Sequence, residues 1–206
     1  MTARYRERLF TEAVREAQAA LNGRALGPAP GDGAEGPGRD RLGPDEAAFI
    51  ASRDSFYMAT VSASGWPYVQ HRGGPPGFIQ ALDPGRLAFV DLRGNRQYIS
   101  LGNLAGETRA ALFFMDYARQ GRLKALARIE VVALEAEPAL VAALAPGPLR
   151  EKAERLMILH LEAFDWNCSQ HITPRYTEAE LAPAIGKLHA RIRELEARLA
   201  ALGETP

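Results

Sequence analysis

A short segment in the first half of the chain, residues 66–78, combines polar side chains with two consecutive glycines. The alternation in its first half predicts a β-strand with Gln70 and Arg72 on one face and His71 on the other. The dipeptide Gly73-Gly74 follows, and a strand without Cβ atoms lets a flat group approach its backbone closely. The segment therefore predicts a site for a planar, phosphorylated molecule, with the guanidinium and the imidazole as polar contacts.

A second candidate half-site lies further along the chain, in residues 91–97 (DLRGNRQ). The end of a strand, a glycine turn and the start of a helix can cradle a phosphate, because free N–H groups and the helix dipole favour an anion there. Arg96 is the main candidate to donate to the phosphate oxygens, and Arg93 is a second. A polar connection with solvated arginines is the alternative. Because both half-sites lie at the ends of consecutive strands, we expect them to converge.

The hydrophobic pattern around these two segments predicts strands with tight turns and few helices between them. This order of elements is typical of an antiparallel barrel or sandwich. A helix is predicted over residues 138–156, interrupted at 146–148. The predicted strands cover residues 55–62, the first half of 66–78, and then 78–82, 86–91, 109–115, 122–134 and 157–164.

Both ends of the chain are predicted to be helical. Residues 2–22 have a helical pattern, and the Gly/Pro-rich segment 27–44 that follows is a flexible connector. Thr177 and Glu180 fit a capping box at the start of a C-terminal amphipathic helix. We divide the chain into an N-terminal helix with its connector, a β domain and a C-terminal helix, with the boundaries 1–44, 45–182 and 183–206.

The apolar seam of the C-terminal helix repeats at spacings of three and four residues. Such a seam suits either docking on the barrel or pairing between subunits, and the pattern spans too few heptads to separate the two. The seam consists of Ile185, Leu188, Ile192, Leu195, Leu199 and Leu202.

The composition narrows the class of protein. The 206 residues include 25 Lys and Arg and 25 Asp and Glu, so the formal net charge is zero, which argues against binding to nucleic acid or an anionic membrane. A hydrophobic fraction of 47% is enough for one core, and no apolar run is long enough to span a bilayer. With a single cysteine and no signal peptide pattern, we expect a soluble, cytoplasmic protein.

Cys168 and His171 invite two further interpretations, a metal site and a nucleophilic pair. A structural zinc site needs about four clustered ligands, whereas this chain has one cysteine and scattered histidines. Covalent catalysis needs an oxyanion site and a third orienting residue, and neither is evident. We predict no metal site, and no catalytic residue is assigned.

The run from Ser55 to Val132 resembles the flavin-binding split barrel of the pyridoxamine 5′-phosphate oxidase-like family. Within it, residues 89–97 (FVDLRGNRQ) are similar to the family's strand and the Gly-Ser-Arg-Lys segment that holds the phosphate of FMN. The resemblance implies a mainly β fold with peripheral helices, a six-stranded Greek-key split barrel. It also implies a homodimer, because the family builds its FMN site at the subunit interface.

The resemblance implies roles for individual residues. Arg96 matches the family's arginine, Asn95 stands where serine is frequent and Gln97 where lysine is frequent. The family's Arg-x-x-x-x-Lys strand is replaced by residues 70–74. The C-terminal stretch 164–176 resembles the C-terminal stretch of a bacterial subgroup of the family, and in the oxidase itself C-terminal Trp and Arg residues help to close the FMN site. The implied cofactor-binding residues are Gln70, His71, Arg72, Gly73, Gly74, Val90, Asp91, Asn95, Arg96, Gln97, Arg122, Trp166, Asn167 and Arg175.

The activity implied by the resemblance is an FMN-dependent oxidoreductase. Such a protein transfers a hydride or electrons between a nicotinamide donor or small substrate and an acceptor. The alternatives are a true pyridoxamine-phosphate oxidase, a reductase that uses a deazaflavin, a non-catalytic flavin-binding or flavin-sensing protein, and a flavin-free interaction protein. The departure in residues 70–74 makes oxidation of pyridoxamine phosphate the less favoured activity.

Overall fold

The structure is a computed structural model that describes residues 2–26, 38–166 and 170–203. Within these residues, seven strands form one antiparallel sheet. The strands are β1 (Ser55–Val61), β2 (Pro67–Gly73), β3 (Ile79–Asp83), β4 (Arg86–Leu92), β5 (Arg109–Asp116), β6 (Gly121–Val132) and β7 (Ala153–Trp166), and the helices are α1 (Ala3–Leu9), α2 (Glu12–Asn22), α3 (Pro44–Ala51), α4 (Ile99–Gly106), α5 (Pro138–Leu144) and α6 (Glu178–Ala201).

The sheet has the order β2-β1-β5-β6-β7-β4-β3, so β2 and β3 form its two edges although they are consecutive in the chain. The sheet curls on itself, because Phe56 of β1 contacts Phe89 of β4, with ring centroids 5.3 Å apart. Phe56 also packs 5.2 Å from Phe114 and 5.8 Å from Phe78. The mainly β class with peripheral helices is confirmed, and the curled sheet leaves an opening between β2 and β3.

The strand count is seven, as in the hydrophobic pattern, which corrects the six strands that the family resemblance implied. A turn after β2 separates it from β3. The N–H of Gly74 donates to Asp54 O at 2.9 Å, and the N–H of Phe78 donates to Pro75 O at 2.9 Å. These bonds end the pairing of β2 with β1, so the next residues form a separate strand that pairs with β4.

Two predicted helices differ from the structure. The N-terminal pattern forms two helices, because Thr11 caps α2 by accepting a hydrogen bond from the Val14 N–H at 3.4 Å. The predicted helix over 138–156 ends early, since β7 begins at Ala153 and the buried Leu156 pairs with Val90 of β4. The capping box of Thr177 and Glu180 is confirmed at the start of α6.

The chain divides into two compact units. The first comprises Met1–Asp116 and Gly121–Ser169 and therefore contains the sheet and helices α1 to α5. The second comprises Tyr117–Gln120 and Gln170–Pro206 and contains α6. Among the described residues, no helix has both the length and the apolar composition that crossing a membrane requires.

Helix α1 docks on β7 through polar contacts. Thr2 donates to Asp40 Oδ2 at 2.6 Å and accepts from the Tyr5 N–H at 3.2 Å, which caps the helix. Tyr5 is the buried residue of this helix. Arg8 Nη2 lies 2.6 Å from Glu162 Oε2. Helix α1 is therefore held by one cap, one buried ring and one ion pair.

Acid is expected to weaken this attachment. Burial raises the pKa of the Glu162 carboxyl, but the guanidinium groups of Arg8, Arg39 and Arg128 outweigh burial and hold it below the ordinary value of 4.5. A depressed pKa contributes stability that is present above the unfolded value and is lost as the pH falls through the folded value. Urea unfolding at several pH values should therefore show the wild type losing stability below about pH 4.5 more steeply than Glu162→Gln. Equal slopes would contradict the role of Glu162.

Candidate functional site

A small polar pocket lies between β2 and the loop that follows β4. Its volume is about 50 Å³. Strand β2 contributes Tyr68, Gln70 and Arg72, which alternate along the strand and therefore share a face. Loop residues 94–98 and the first turn of α4 form the opposite wall. Two predicted half-sites, distant in sequence, thus border one pocket.

The centre of the pocket is Asp91, at the end of β4. Its Oδ1 accepts from Arg72 Nη1, and its Oδ2 accepts from Arg155 Nη1 at 2.7 Å. Arg72 is 11% exposed, Asp91 7% and Arg155 15%, so the three side chains form a largely buried charge cluster. Burial lowers the pKa of Arg72, and the negative charge of Asp91 opposes that shift. Because β2 and β4 are not neighbours in the sheet, the cluster also ties the two sides of the opening together.

The loop between β4 and α4 has an unusual backbone. Arg96 and Tyr98 both adopt positive φ, at 61° and 51°, in the left-handed region that non-glycine residues rarely occupy. Asn95 supports the turn, because its Oδ1 accepts from the Gln97 N–H at 3.2 Å. Such conformations cost roughly 1 kcal/mol or more each and cluster at ligand sites. The side chain of Arg96 is exposed and makes no hydrogen bond or ion pair within the described parts of the chain.

The donors around the pocket suit an anion. Tyr98, at the N-cap of α4, makes no side-chain cap bond, and the first N–H groups of a helix have no intrahelical partners. The Nε of Arg72 is buried and has no hydrogen-bond partner among the described residues. Three guanidiniums and two carboxylates, those of Asp91 and Glu154, line the pocket, which leaves one positive charge. This donor set fits a phosphate monoester of the kind that FMN carries.

Six of the fourteen residues predicted to bind the cofactor line this pocket. They come from β2, from the end of β4 and from the loop before α4. The pocket brings together Gln70, Arg72, Asp91, Asn95, Arg96 and Gln97.

Four other predicted residues near the two segments lie elsewhere. His71 is on the opposite face of β2, with its ring 5.6 Å from that of Tyr57. Gly73 pairs with β1, and a Cβ on Gly74 would lie 2.7 Å from Phe78, so close packing within the protein explains the second glycine. Val90 is buried in a core cluster with α5. Contact of these residues with a flavin ring stays a prediction.

The remaining predicted residues are distributed over other parts of the chain. Arg122 lies 5.9 Å from the ring centroid of Phe113. The indole N–H of Trp166 donates to Glu46 Oε1 at 2.7 Å. In the second unit, the guanidinium of Arg175 lies 5.0 Å over a tyrosine ring. Asn167 is outside the described residues, and the cofactor contacts of all four stay predictions.

Sequence reasoning missed two charged residues of the pocket, Glu154 and Arg155. Both were assigned to a predicted helix, but they belong to β7, where Arg155 stands directly opposite Asp91 in the ladder. Glu154 Oε1 accepts from the Tyr98 hydroxyl at 3.0 Å, and its Oε2 accepts from Arg155 at 2.9 Å. The cross-strand pairing of opposite charges was the available signal, but it requires the register of β4 and β7 to be known.

A second, larger cavity of about 900 Å³ is bordered by α1, β1, the end of α4, β5 and β6. Its charged lining residues are already paired. Arg8 and Arg128 lie 2.6 and 3.5 Å from Glu162, and Arg109 is paired with Glu107. This cavity therefore lacks the unpaired cation that the small pocket has in Arg96.

Comparison with known proteins gives a family match over most of the sheet. A family model described as pyridoxamine 5′-phosphate oxidase matches residues 42–164, which is more than half of the chain. A comparison with curated protein sequences finds no match.

Several solved structures are similar to this chain at low identity. HupZ from Group A Streptococcus is 14% identical, with a TM-score of 0.47 over 66% of this chain and 100% of its own. A candidate pyridoxamine 5′-phosphate oxidase from Lactobacillus delbrueckii is 22% identical, with a TM-score of 0.46 over 61% and 93%. A pyridoxamine 5′-phosphate oxidase-related, FMN-binding protein from Nostoc punctiforme is 14% identical, with a TM-score of 0.39 over 55% and 73%.

Proposed function

Because the chain belongs to the pyridoxamine 5′-phosphate oxidase family, we propose that it binds FMN and holds the cofactor's phosphate in the pocket between β2 and α4. The observation that carries this proposal is the convergence of Arg72, Arg96 and the start of α4 on one pocket with a positive balance of charge. Helix N-termini and arginine forks are the usual protein partners of phosphate.

Each residue of the pocket would have a distinct task. Arg96 supplies a mobile cation at the rim, because its side chain is exposed and unpaired within the described chain. Asp91 holds the guanidinium of Arg72 in place and offsets part of its charge. Gln70 is fixed by Ser100, whose hydroxyl donates to its Oε1 at 3.1 Å. When bound, FMN would supply hydride and electron transfer.

The volume of the pocket supports a site that one chain does not complete. Pockets that enclose a whole ligand have about 300 to 1,000 Å³, whereas this one has about 50 Å³. Only the phosphate end of FMN would fit, so we propose that the ring lies on the neighbouring surface and is covered by a second subunit. The half-exposed apolar residues Tyr57, Val61 and Val69 lie on the other face of β1 and β2, the face of His71, and support a homodimer that forms through that face. A monomeric mass by light scattering, with and without FMN, would contradict it.

The reaction that we propose is the FMN-dependent transfer of a hydride or electrons from a nicotinamide donor or a small substrate to an acceptor. The purified protein should be yellow, with absorption bands near about 370 and about 450 nm. Bleaching by NADH or NADPH, followed by recovery in air, would support an oxidoreductase. A bound flavin that neither nucleotide reduces would favour a flavin-binding module, and a protein that stays colourless after FMN addition would contradict both.

Replacing Arg96 by alanine is expected to weaken FMN binding by roughly tenfold or more, since a charge-assisted hydrogen bond contributes about 1.5 to 3 kcal/mol. Alanine and arginine pay the same backbone cost at φ 61°, so the change isolates the guanidinium. The affinity is measured by flavin fluorescence quenching during titration of the apoprotein.

The matched control is Arg93→Ala, in the same loop. Arg93 is exposed like Arg96, but it does not line the pocket. This variant removes the same charge from the same region, so it corrects for long-range electrostatics. If both variants bind FMN as tightly as the wild type, the phosphate is held elsewhere. Equal weakening by both would show that net charge, rather than the pocket, governs affinity.

A further inference from the structure

Helix α6 carries an apolar stripe with the regular spacing of a coiled coil. From Ile185 the stripe residues follow one another at intervals of three and four residues along the helix to Leu202. This is the a/d pattern of a heptad repeat. The a positions are Ile185, Ile192 and Leu199, and the d positions are Leu188, Leu195 and Leu202.

The stripe is not buried within the second unit. No residue of α6 is buried, and the d residues Leu188, Leu195 and Leu202 are between 42% and 75% exposed. The helix itself is well formed, because the capping box of Thr177 and Glu180 closes its first turn. Pro183 interrupts the hydrogen bonds of the first turns, so the regular heptads are those that begin at Ile185.

The residue types at the seam point to two parallel strands. Isoleucine at a with leucine at d favours a parallel dimer over trimers and tetramers. Here two of the three a positions are isoleucine and all three d positions are leucine. The proposed partner is thus a helix with the same sequence.

The charges beside the seam agree with that orientation. In a parallel pair, a g residue faces the e residue five positions later on the other helix, which places Arg191 opposite Glu196 of the second copy, twice by symmetry. In an antiparallel pair with the same layers, g faces g, and Arg191 would meet Arg198. In the single chain Arg191 is bonded to Glu194 at 2.7 Å, on the solvent side of the helix.

From these observations we propose that α6 pairs in parallel with α6 of a second copy of this chain. The proposal does not depend on flavin binding. Six core positions per helix make a short coiled coil, and an amphipathic helix gains most of its stability from packing of its apolar face. Pairing would therefore be strongest where another contact already holds two copies together, since the second contact is then intramolecular.

The test is disulfide cross-linking of the full-length protein in which Cys168, the chain's one cysteine, is replaced by serine. A cysteine at a d position of a parallel pair faces its own copy at a distance that a disulfide spans. Leu188→Cys should therefore cross-link at least about tenfold faster than Ala190→Cys, which lies on the opposite side of the helix. Leu202→Cys, near the end of the seam, should behave like Leu188→Cys.

Orientation is tested in the Leu188→Cys background with a charge reversal. Arg191→Glu places two carboxylates opposite each other in the parallel pair and should slow cross-linking about fivefold. Adding Glu196→Arg restores opposite charges between the chains, while the carboxylate introduced at position 191 still lies near Glu194 within each helix. Recovery of the rate would therefore isolate the contact between chains.

Two results would overturn the proposal. Equal cross-linking at Leu188→Cys and Ala190→Cys would mean that the seam forms no parallel pair, as when it docks on the body of its own chain, on a different protein, or antiparallel on a second copy, where Leu188 faces Leu199. Unchanged or faster cross-linking of Arg191→Glu would mean that Arg191 does not face Glu196 of the second copy.

Discussion

Replacing Phe56 by alanine is expected to lower the free energy of unfolding by about 3 to 5 kcal/mol, which corresponds to a fall in Tm of roughly 10 °C. The side chain is 1% exposed and touches rings from β4, β5 and the turn before β3. Its removal leaves a cavity that several strands would have to collapse into together. The measurement is urea unfolding followed by circular dichroism and tryptophan fluorescence.

Phe56→Leu is the graded control for this prediction. Leucine keeps most of the apolar volume, so the expected loss is below about 1.5 kcal/mol. The comparison separates the cavity from the mere loss of an aromatic ring. If alanine and leucine destabilise equally, Phe56 does not join the two sides of the curled sheet as its ring contacts indicate.

The second large effect is expected for Asp91→Asn, with a loss of about 3 to 5 kcal/mol. The amide is nearly isosteric with the carboxylate, but it leaves the largely buried guanidinium of Arg72 without its counter-charge and Arg155 with Glu154 alone. Removing one partner of a buried charge cluster lowers the stability of the fold by much more than the intact cluster raises it, because the remaining charges stay desolvated. Thermal and urea unfolding of the flavin-free protein measure the loss.

An exposed carboxylate–guanidinium pair provides the control. Asp83 and Arg86 are 39% and 48% exposed and lie 2.7 Å apart within one turn. Asp83→Asn should therefore cost less than about 1 kcal/mol. A loss for Asp91→Asn no greater than that for Asp83→Asn would show that water reaches the pocket cluster and screens it.

The strands were predictable because their signals are local. Alternating apolar and polar residues mark β1 and β2, and the turn before β4 is marked by Pro84 and Gly85. These elements could therefore be placed without knowing which strands pair with them. The loop 91–97 was found in the same way, since strand, glycine and helix follow one another directly in the chain. The capping box at Thr177 is also local, which explains why the start of α6 was foreseen.

The remaining features depend on pairings between distant residues. The cluster of Arg72, Asp91 and Arg155 joins three strands that are separated in sequence, and the ladder register that brings Arg155 to Asp91 includes an irregularity at the end of β4. Gly74 illustrates the same limit. The sequence suggested that Gly74 lacks a Cβ so that a ligand can approach the backbone, whereas the structure shows that a Cβ there would also collide with Phe78. Neither contact leaves a trace in hydrophobic periodicity.

The left-handed backbone at Arg96 has a consequence for how this loop tolerates mutation. Glycine, asparagine or aspartate would suit φ 61° better than arginine, and β-branched residues would suit it worst. The backbone and the proposed ligand therefore make opposing demands on position 96, since the residues that relax the loop remove its cation. Variants selected for thermal stability alone would drift away from arginine here, whereas selection for cofactor retention would keep it.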